Sequence, residues 1–277
     1  MEKNINTQLN IIEKAIKWVK ETDSMKGAKG ENAYRNLVNY RRKLNKKKFA
    51  LEGNPAAAIY GESQAGKSYL VSALLSVAGK SFKVLDGKEN EFDFKTQINP
   101  RGNEMESTSV ATRFSTKYKW INKEYPIIAK LLSPTDIILV ICEAYYNNLK
   151  VNKPLSFDNL KEKILSFELL YSDKKQCQES ITEDNILDIE EYFNDNFSKL
   201  VFNNLKDAGF FEKISLIVSK VSSENWKDVF SLLWNFNPQL TKLFDDLIIQ
   251  YKQIDFTDTV YLPMDAVLRD KGTLLDV

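Results

Sequence analysis

Ala56-Ala57-Ala58-Ile59-Tyr60-Gly61-Glu62-Ser63-Gln64-Ala65-Gly66-Lys67-Ser68 is the stretch on which the reading of this chain turns. Its first five residues form a short apolar run of buried-strand length. The next eight follow the pattern G-x-x-x-x-G-K-S. Tyr69-Leu70-Val71-Ser72-Ala73-Leu74-Leu75-Ser76-Val77-Ala78 then reads as an apolar helix, with Gly79 as its C-terminal cap. A tight loop ahead of a helix turns successive backbone N–H groups inward and makes an anion nest. Glycines allow backbone conformations and close approaches that a side chain would block. The helix N-terminus adds partial positive charge and unpaired donors.

Those features predict phosphate binding, with a nucleoside triphosphate (ATP or GTP) as ligand and Mg²⁺ as its companion. Gly61, Ser63, Gln64, Ala65, Gly66, Lys67 and Ser68 are the binding candidates. Lys67 can reach the β- and γ-phosphates, and the Ser68 hydroxyl can ligate Mg²⁺. Average residue frequencies put a chance match in a chain of this length at roughly one in a hundred. The bland alternative is a glycine-rich turn with an exposed lysine.

Turnover needs more than a phosphate cradle: a carboxylate on the metal side and a group that orients water. Residues 98–113 form a polar loop ending Glu106-Ser107-Thr108-Ser109-Val110-Ala111-Thr112-Arg113. Thr112 is the switch candidate, offering its hydroxyl to Mg²⁺ and its N–H to the γ-phosphate. Asp276 closes the strand-like Thr273-Leu274-Leu275-Asp276, where an aspartate at the edge of a parallel sheet sits beside such a loop. The catalytic candidates are therefore Lys67, Thr112 and Asp276, and the metal candidates Ser68, Thr112 and Asp276. An ordinary surface loop and a partnerless terminal aspartate are the competing readings. Asp136 is the weaker choice, because Ser133-Pro134-Thr135-Asp136 looks like a helix start. The aromatic run Phe230 to Phe236 has helical spacing and reads as core.

The whole composition narrows the classes further. Apolar residues make up 43% of the 277 and charged residues 28%, the balance of a soluble globular chain. Lys plus Arg is 39 and Asp plus Glu is 38, so bulk charge favours neither nucleic acid nor membrane. Nucleic acid is not an expected partner, and nothing supports a membrane contact. No apolar run is long enough to span a bilayer and the N-terminus lacks a signal-peptide core, so cytoplasmic residence is expected. The absence of histidine removes the Ser-His-Asp triad, the Cys-His dyad and histidine zinc sites. Cys142 and Cys177 read as free thiols, the first in the core.

The expected fold class is α/β: a P-loop NTPase core with a parallel-type sheet, plus a large, mostly helical insertion. N-terminal helices occupy 1–50 and the first part of the core 51–133. The insertion runs over 134–258, and returning core strands fill 259–277. Apolar spacing predicts helices over 7–21 and 31–46, and from Asp158–Tyr171 through Pro238–Tyr251. Strands are expected at 56–60, Phe82–Leu85, Phe92–Lys95, Tyr125–Leu132 and Val260–Leu262. The basic run Arg41 to Lys48 reads as a solvated helix end, with a membrane or phosphate-backbone patch as the alternative.

Several ordered segments resemble the SrfC-like putative bacterial virulence factors. They are Ala58 to Leu74 around the loop, Ile98 to Phe114, Leu131 to Ile137, Phe230 to Trp234, and Leu262 to Leu268 through Leu274 to Val277. Members of that family are much longer, so the resemblance implies an N-terminal fragment or truncated product. The layout also looks like a dynamin-type large GTPase, with Thr112-Arg113 matching its switch and Asp276 its metal-side aspartate. About 160 residues separate those two. Nothing resembles the guanine-reading Asn/Thr-Lys-x-Asp motif, since Ser219-Lys220-Val221-Ser222 lacks the aspartate. The resemblance implies Mg²⁺-dependent hydrolysis of ATP or GTP, with Arg113 or Arg101 neutralising charge. A nucleotide-dependent module that recruits a protein partner, and a helical scaffold with an inert loop, are the alternatives.

Overall fold

Apolar residues recurring at helical spacing dominate the second half of the chain, and helices form there. The computed structural model describes residues 2–52, 56–60, 66–77, 79–99, 111–115, 121–148 and 156–268. Its helices are α1 (Glu2–Glu21), α2 (Ala28–Glu52), α3 (Lys67–Leu75), α4 (Pro134–Glu143), α5 (Phe157–Tyr171), α6 (Glu183–Asn196), α7 (Lys199–Asp207), α8 (Phe210–Ile217), α9 (Trp226–Phe230) and α10 (Pro238–Gln253). Its strands are β1 (Lys83–Leu85), β2 (Glu91–Asp93), β3 (Ile127–Lys130) and β4 (Thr259–Leu262). The chain divides into two compact units. One joins Met1–Asn54 to Leu132–Phe256, and the other joins Pro55–Leu131 to Thr257–Val277.

The first unit is helical and owns the main core. α8 packs against α5, α6 and α7, burying Phe210, Phe211, Ile214 and Ile217. α9 and the 3-10 turn Ser231–Trp234 add Trp226, Phe230, Leu233 and Trp234, so the aromatic run is core through Trp234, while Phe236 at its end is exposed. Its polar atoms find partners, as buried groups must. The Trp234 Nε1–H donates to Thr241 Oγ1 at 3.0 Å, and the Trp226 Nε1–H to the Val221 carbonyl at 3.0 Å. Cys142 is fully buried in this core, and burial pushes its thiol pKa up. Cys177 is also a free thiol.

Helix ends follow local chemistry. Ser133 caps α4: its Oγ accepts from Asp136 N–H, and Asp136 Oδ2 accepts from Ser133 N–H at 2.9 Å, with Pro134 at the first helical position. Asp136 is thereby a capping residue. Asn237 caps α10 by accepting from the Gln239 and Leu240 amides, again ahead of a proline. α10 lies between two sharp reversals, each made of two consecutive non-glycine residues at positive φ. They are Asn235 (53°) with Phe236 (51°), and Asp255 (51°) with Phe256 (53°). The Phe256 ring compensates by packing on Trp226 and Tyr251 at 5.5 Å each.

The expected α/β fold with a parallel-type sheet is wrong. The structure is 67% helical and holds two separate two-stranded antiparallel ribbons among the described residues. β1 pairs with β2, Val84 opposite Phe92, across a turn built by Asp86. The Asp86 carboxylate accepts from Lys88 N–H at 2.8 Å and Asn90 N–H at 2.9 Å. β3 pairs with β4, Ile128 opposite Tyr261. Ala56–Tyr60, read as a buried strand, has no regular structure, and Tyr60 is 89% exposed. Three alanines have little strand preference and little area to bury, so no ladder forms there. The remaining strands are three or four residues long and meet antiparallel, which needs none of the crossovers of a parallel sheet. No helix among the described residues is long and apolar enough to cross a membrane.

Candidate functional site

The described part of the glycine loop begins at Gly66, and its shape there is set by that residue. Gly66 has φ 85° and ψ 13° and occupies the N-cap of α3. Leu70 N–H closes the first helical bond on the Gly66 carbonyl at 3.0 Å. No side chain caps this helix end. A Cβ at Gly66 would meet nothing within 4 Å, so the demand for glycine is conformational rather than steric. Lys67 and Ser68 follow as the first two residues of the nine-residue α3.

Ser68 has a partner that sequence reasoning missed. Asn99 Nδ2 donates to its hydroxyl oxygen across 31 positions of chain. Asn99 is held in turn by its own N–H, which donates to the Phe94 carbonyl at 2.7 Å and ends the π-helical turn Phe94–Ile98. Lys95 Nζ of that turn lies 4.9 Å from the centre of the Tyr69 ring on α3. The beginning of α3 and this turn therefore meet through two side-chain contacts. A polar residue at the head of the polar loop was the only available signal for Asn99, and spacing alone does not single it out.

Thr112 lies in the described segment 111–115, exposed and without regular structure. Two residues on, Phe114 packs edge-on against Phe82 at 5.2 Å and Phe94 at 5.4 Å. That three-ring cluster ties the Thr112 segment to the turn carrying Asn99. Among the described residues no hydrogen bond joins Thr112 to Ser68. Gly61, Ser63, Gln64, Ala65, Arg101 and Asp276 lie outside the described residues.

Two other carboxylates in this unit are already committed to turns. For Asp86, burial opposes the charge, but hydrogen bonds from Asn90 and Lys88 outweigh it and lower the pKa. The Asp93 carboxyl is held low first by Ser81, then by Thr96 and the Lys95 amide. Neither stands in for Asp276. No group of three or more acidic or cysteine side chains among the described residues is arranged to hold a metal ion. Two recesses, of about 640 and 460 Å³, lie in the helical unit. Some of the charges lining them are paired with each other, Lys227 with Asp245 at 2.7 Å and Lys46 with Asp188 at 2.6 Å.

The fold and site define a mainly helical protein whose small second unit presents a glycine-started helix with lysine and serine at its head. The chain belongs to the family described as putative bacterial virulence factor, which matches residues 15–276. No curated protein and no solved structure matches it.

Proposed function

We propose that this chain binds a nucleoside triphosphate, ATP or GTP with Mg²⁺, at the loop Gly61–Ser68. The observation that carries this reading is Gly66 at positive φ as an uncapped N-cap, inside G-x-x-x-x-G-K-S. The N-terminal end of α3 carries the partial positive charge that suits a phosphate. Lys67 is the group that would pair with the β- and γ-phosphates, and Ser68, oriented by Asn99, the one that would serve Mg²⁺. The donor set fits the ligand: cation, hydroxyl and amides, with no carboxylate among the described residues hydrogen-bonded to Ser68. Bound Mg²⁺ would supply neutralisation of phosphate charge. In this reading the protein works in the cytoplasm.

Hydrolysis, with Thr112 and Asp276 completing the site and Arg113 or Arg101 neutralising charge, is the second reading. What favours it is the Phe82–Phe94–Phe114 cluster, which anchors the Thr112 segment beside the turn that holds Asn99. Without turnover, the same site serves as a nucleotide-dependent module for a protein partner.

Competition of ATP and GTP against a fluorescent triphosphate analogue tests binding and fixes the base. Lys67→Ala should weaken it about 10- to 100-fold, the worth of a hydrogen bond to a charged group. Absence of saturable binding at millimolar Mg²⁺-nucleotide would sink the proposal. Single-turnover phosphate release, lost in Lys67→Ala and Thr112→Ala, separates the enzyme from the binding module.

A further inference from the structure

The basic run of α2 is solvated only in part: Lys43, Lys46 and Lys47 are exposed, but Arg41 and Arg42 are withdrawn from solvent. Arg41 Nη2 donates to Asp184 at 2.6 Å, and Arg42 Nη1 meets Asp188 and also Glu191, the latter at 2.9 Å. Lys46 reaches the same Asp188 at 2.6 Å, and about two turns before Arg42, Arg35 pairs with Glu190. Tyr34 Oη donates to Glu183 at 2.6 Å. All these acceptors stand on α6, and all lie in the helical unit. The apolar contact beneath them is small: Ile16, Val38 and Leu187 are buried, with Ile12, Tyr34 and Leu37 partly so. Leu187 belongs to this cluster and not to the main core.

We propose that the α1–α2 hairpin is an electrostatic clasp, docked on α6 chiefly by charge and released from it as ionic strength rises while the α4–α10 core stays folded. Two observations drive the inference apart from the pairing itself. Three buried apolar side chains are far fewer than those joining α5, α6 and α8. The docked state also leaves Arg42 Nε buried without a hydrogen-bond partner, a donor that water would satisfy on release. The screening length falls to about 3 Å at 1 M salt, an effect largest at the more exposed pairs such as Lys46 with Asp188. Release uncovers complementary faces, arginines and lysine on α2 and carboxylates on α6, so redocking is fast and register-specific.

Amide hydrogen exchange on the full chain, at about 0.05 M and about 1 M NaCl, tests the clasp. The expected result is exchange roughly tenfold or more faster in α1 and α2 at high salt, with α8 and α10 changed by less than about twofold. Unchanged protection of α2, or loss in step with α8, overturns the proposal. Asp184→Lys should produce the fast exchange already at low salt, and Arg41→Glu added to it should restore slow exchange. The α8 amides in the same run report whether the variants fold, and failure of the second change to restore protection also overturns the clasp.

Discussion

The two units of this chain are held by different means. The helical unit buries Trp226, Trp234, Phe210, Phe211, Phe230 and Phe244 almost completely and caps its helices with Ser133 and Asn237. The second unit leaves Tyr60, Leu74 and Val77 mostly exposed, and Ser72 is the one residue of α3 that is buried. Its order rests on two short ribbons, one aromatic trio and hydrogen-bonded turns. Stability and chemistry are thus carried by separate parts: the residues most deeply packed are not those proposed to touch phosphate. That division matches the general tendency of binding segments to come from the less stable regions of a protein.

Substitutions can break or sharpen this contrast. The largest effect belongs to the helical core. Trp234→Ala should lower stability by about 3–5 kcal/mol, read as a large drop in the main thermal transition, because it empties a sealed site and strands Thr241. An equally stable variant would mean that the core can collapse around the gap. Phe94→Ala comes next and should separate the two units. It removes two of the three ring contacts in the trio and loosens the turn holding Asn99, so nucleotide affinity should fall by roughly tenfold while the main transition stays in place. If calorimetry showed both falling together, the units would not be energetically distinct. Ser133→Ala removes one capping hydroxyl and should cost about 1 kcal/mol in denaturant titrations. At the small end, Glu91→Gln breaks an exposed pair with Lys83 across β1 and β2 and should leave both affinity and melting unchanged. A measurable loss there would show that the ribbon matters more than its burial suggests.

The helices were legible where a repeating apolar face follows a chemical start signal, as at Ser133 and Asn237. Phe157–Tyr171 and Pro238–Gln253 fall within two residues of the spans that spacing predicts. Pro134 and Pro238 mark their helices in the letters themselves. The sheet differs from the expected one because Ala56 to Tyr60 is apolar without being strand-forming, and because the G-x-x-x-x-G-K-S pattern does not bring a parallel sheet with it. A local motif specifies its own loop, not the pairing of strands far along the chain. β3 and β4 illustrate this, for Ile127 and Leu262 find each other across a long separation that no local pattern encodes. At the candidate site, Gly66 could be read from its place between Ala65 and Lys67. Asn99 could not, since its link to Ser68 depends on a π turn and a ring cluster that only the folded chain assembles. The partners of Arg41 and Arg42 were hidden for the same reason: a charge run shows that cations are present, not which carboxylates answer them.

The paired reversals around α10 have a consequence for how related sequences can differ. Asn235 and Phe236 enter the helix, and Asp255 and Phe256 leave it, in a backbone hand that ordinary residues resist. The corner after the helix must deliver Phe256 to Trp226 and Tyr251. One residue inserted within Pro238–Gln253 would rotate that corner by about 100° and swing the ring away from its seat. Drift in this segment should therefore appear as exchange of side chains along the outer face of α10, whereas its length should be inherited unchanged.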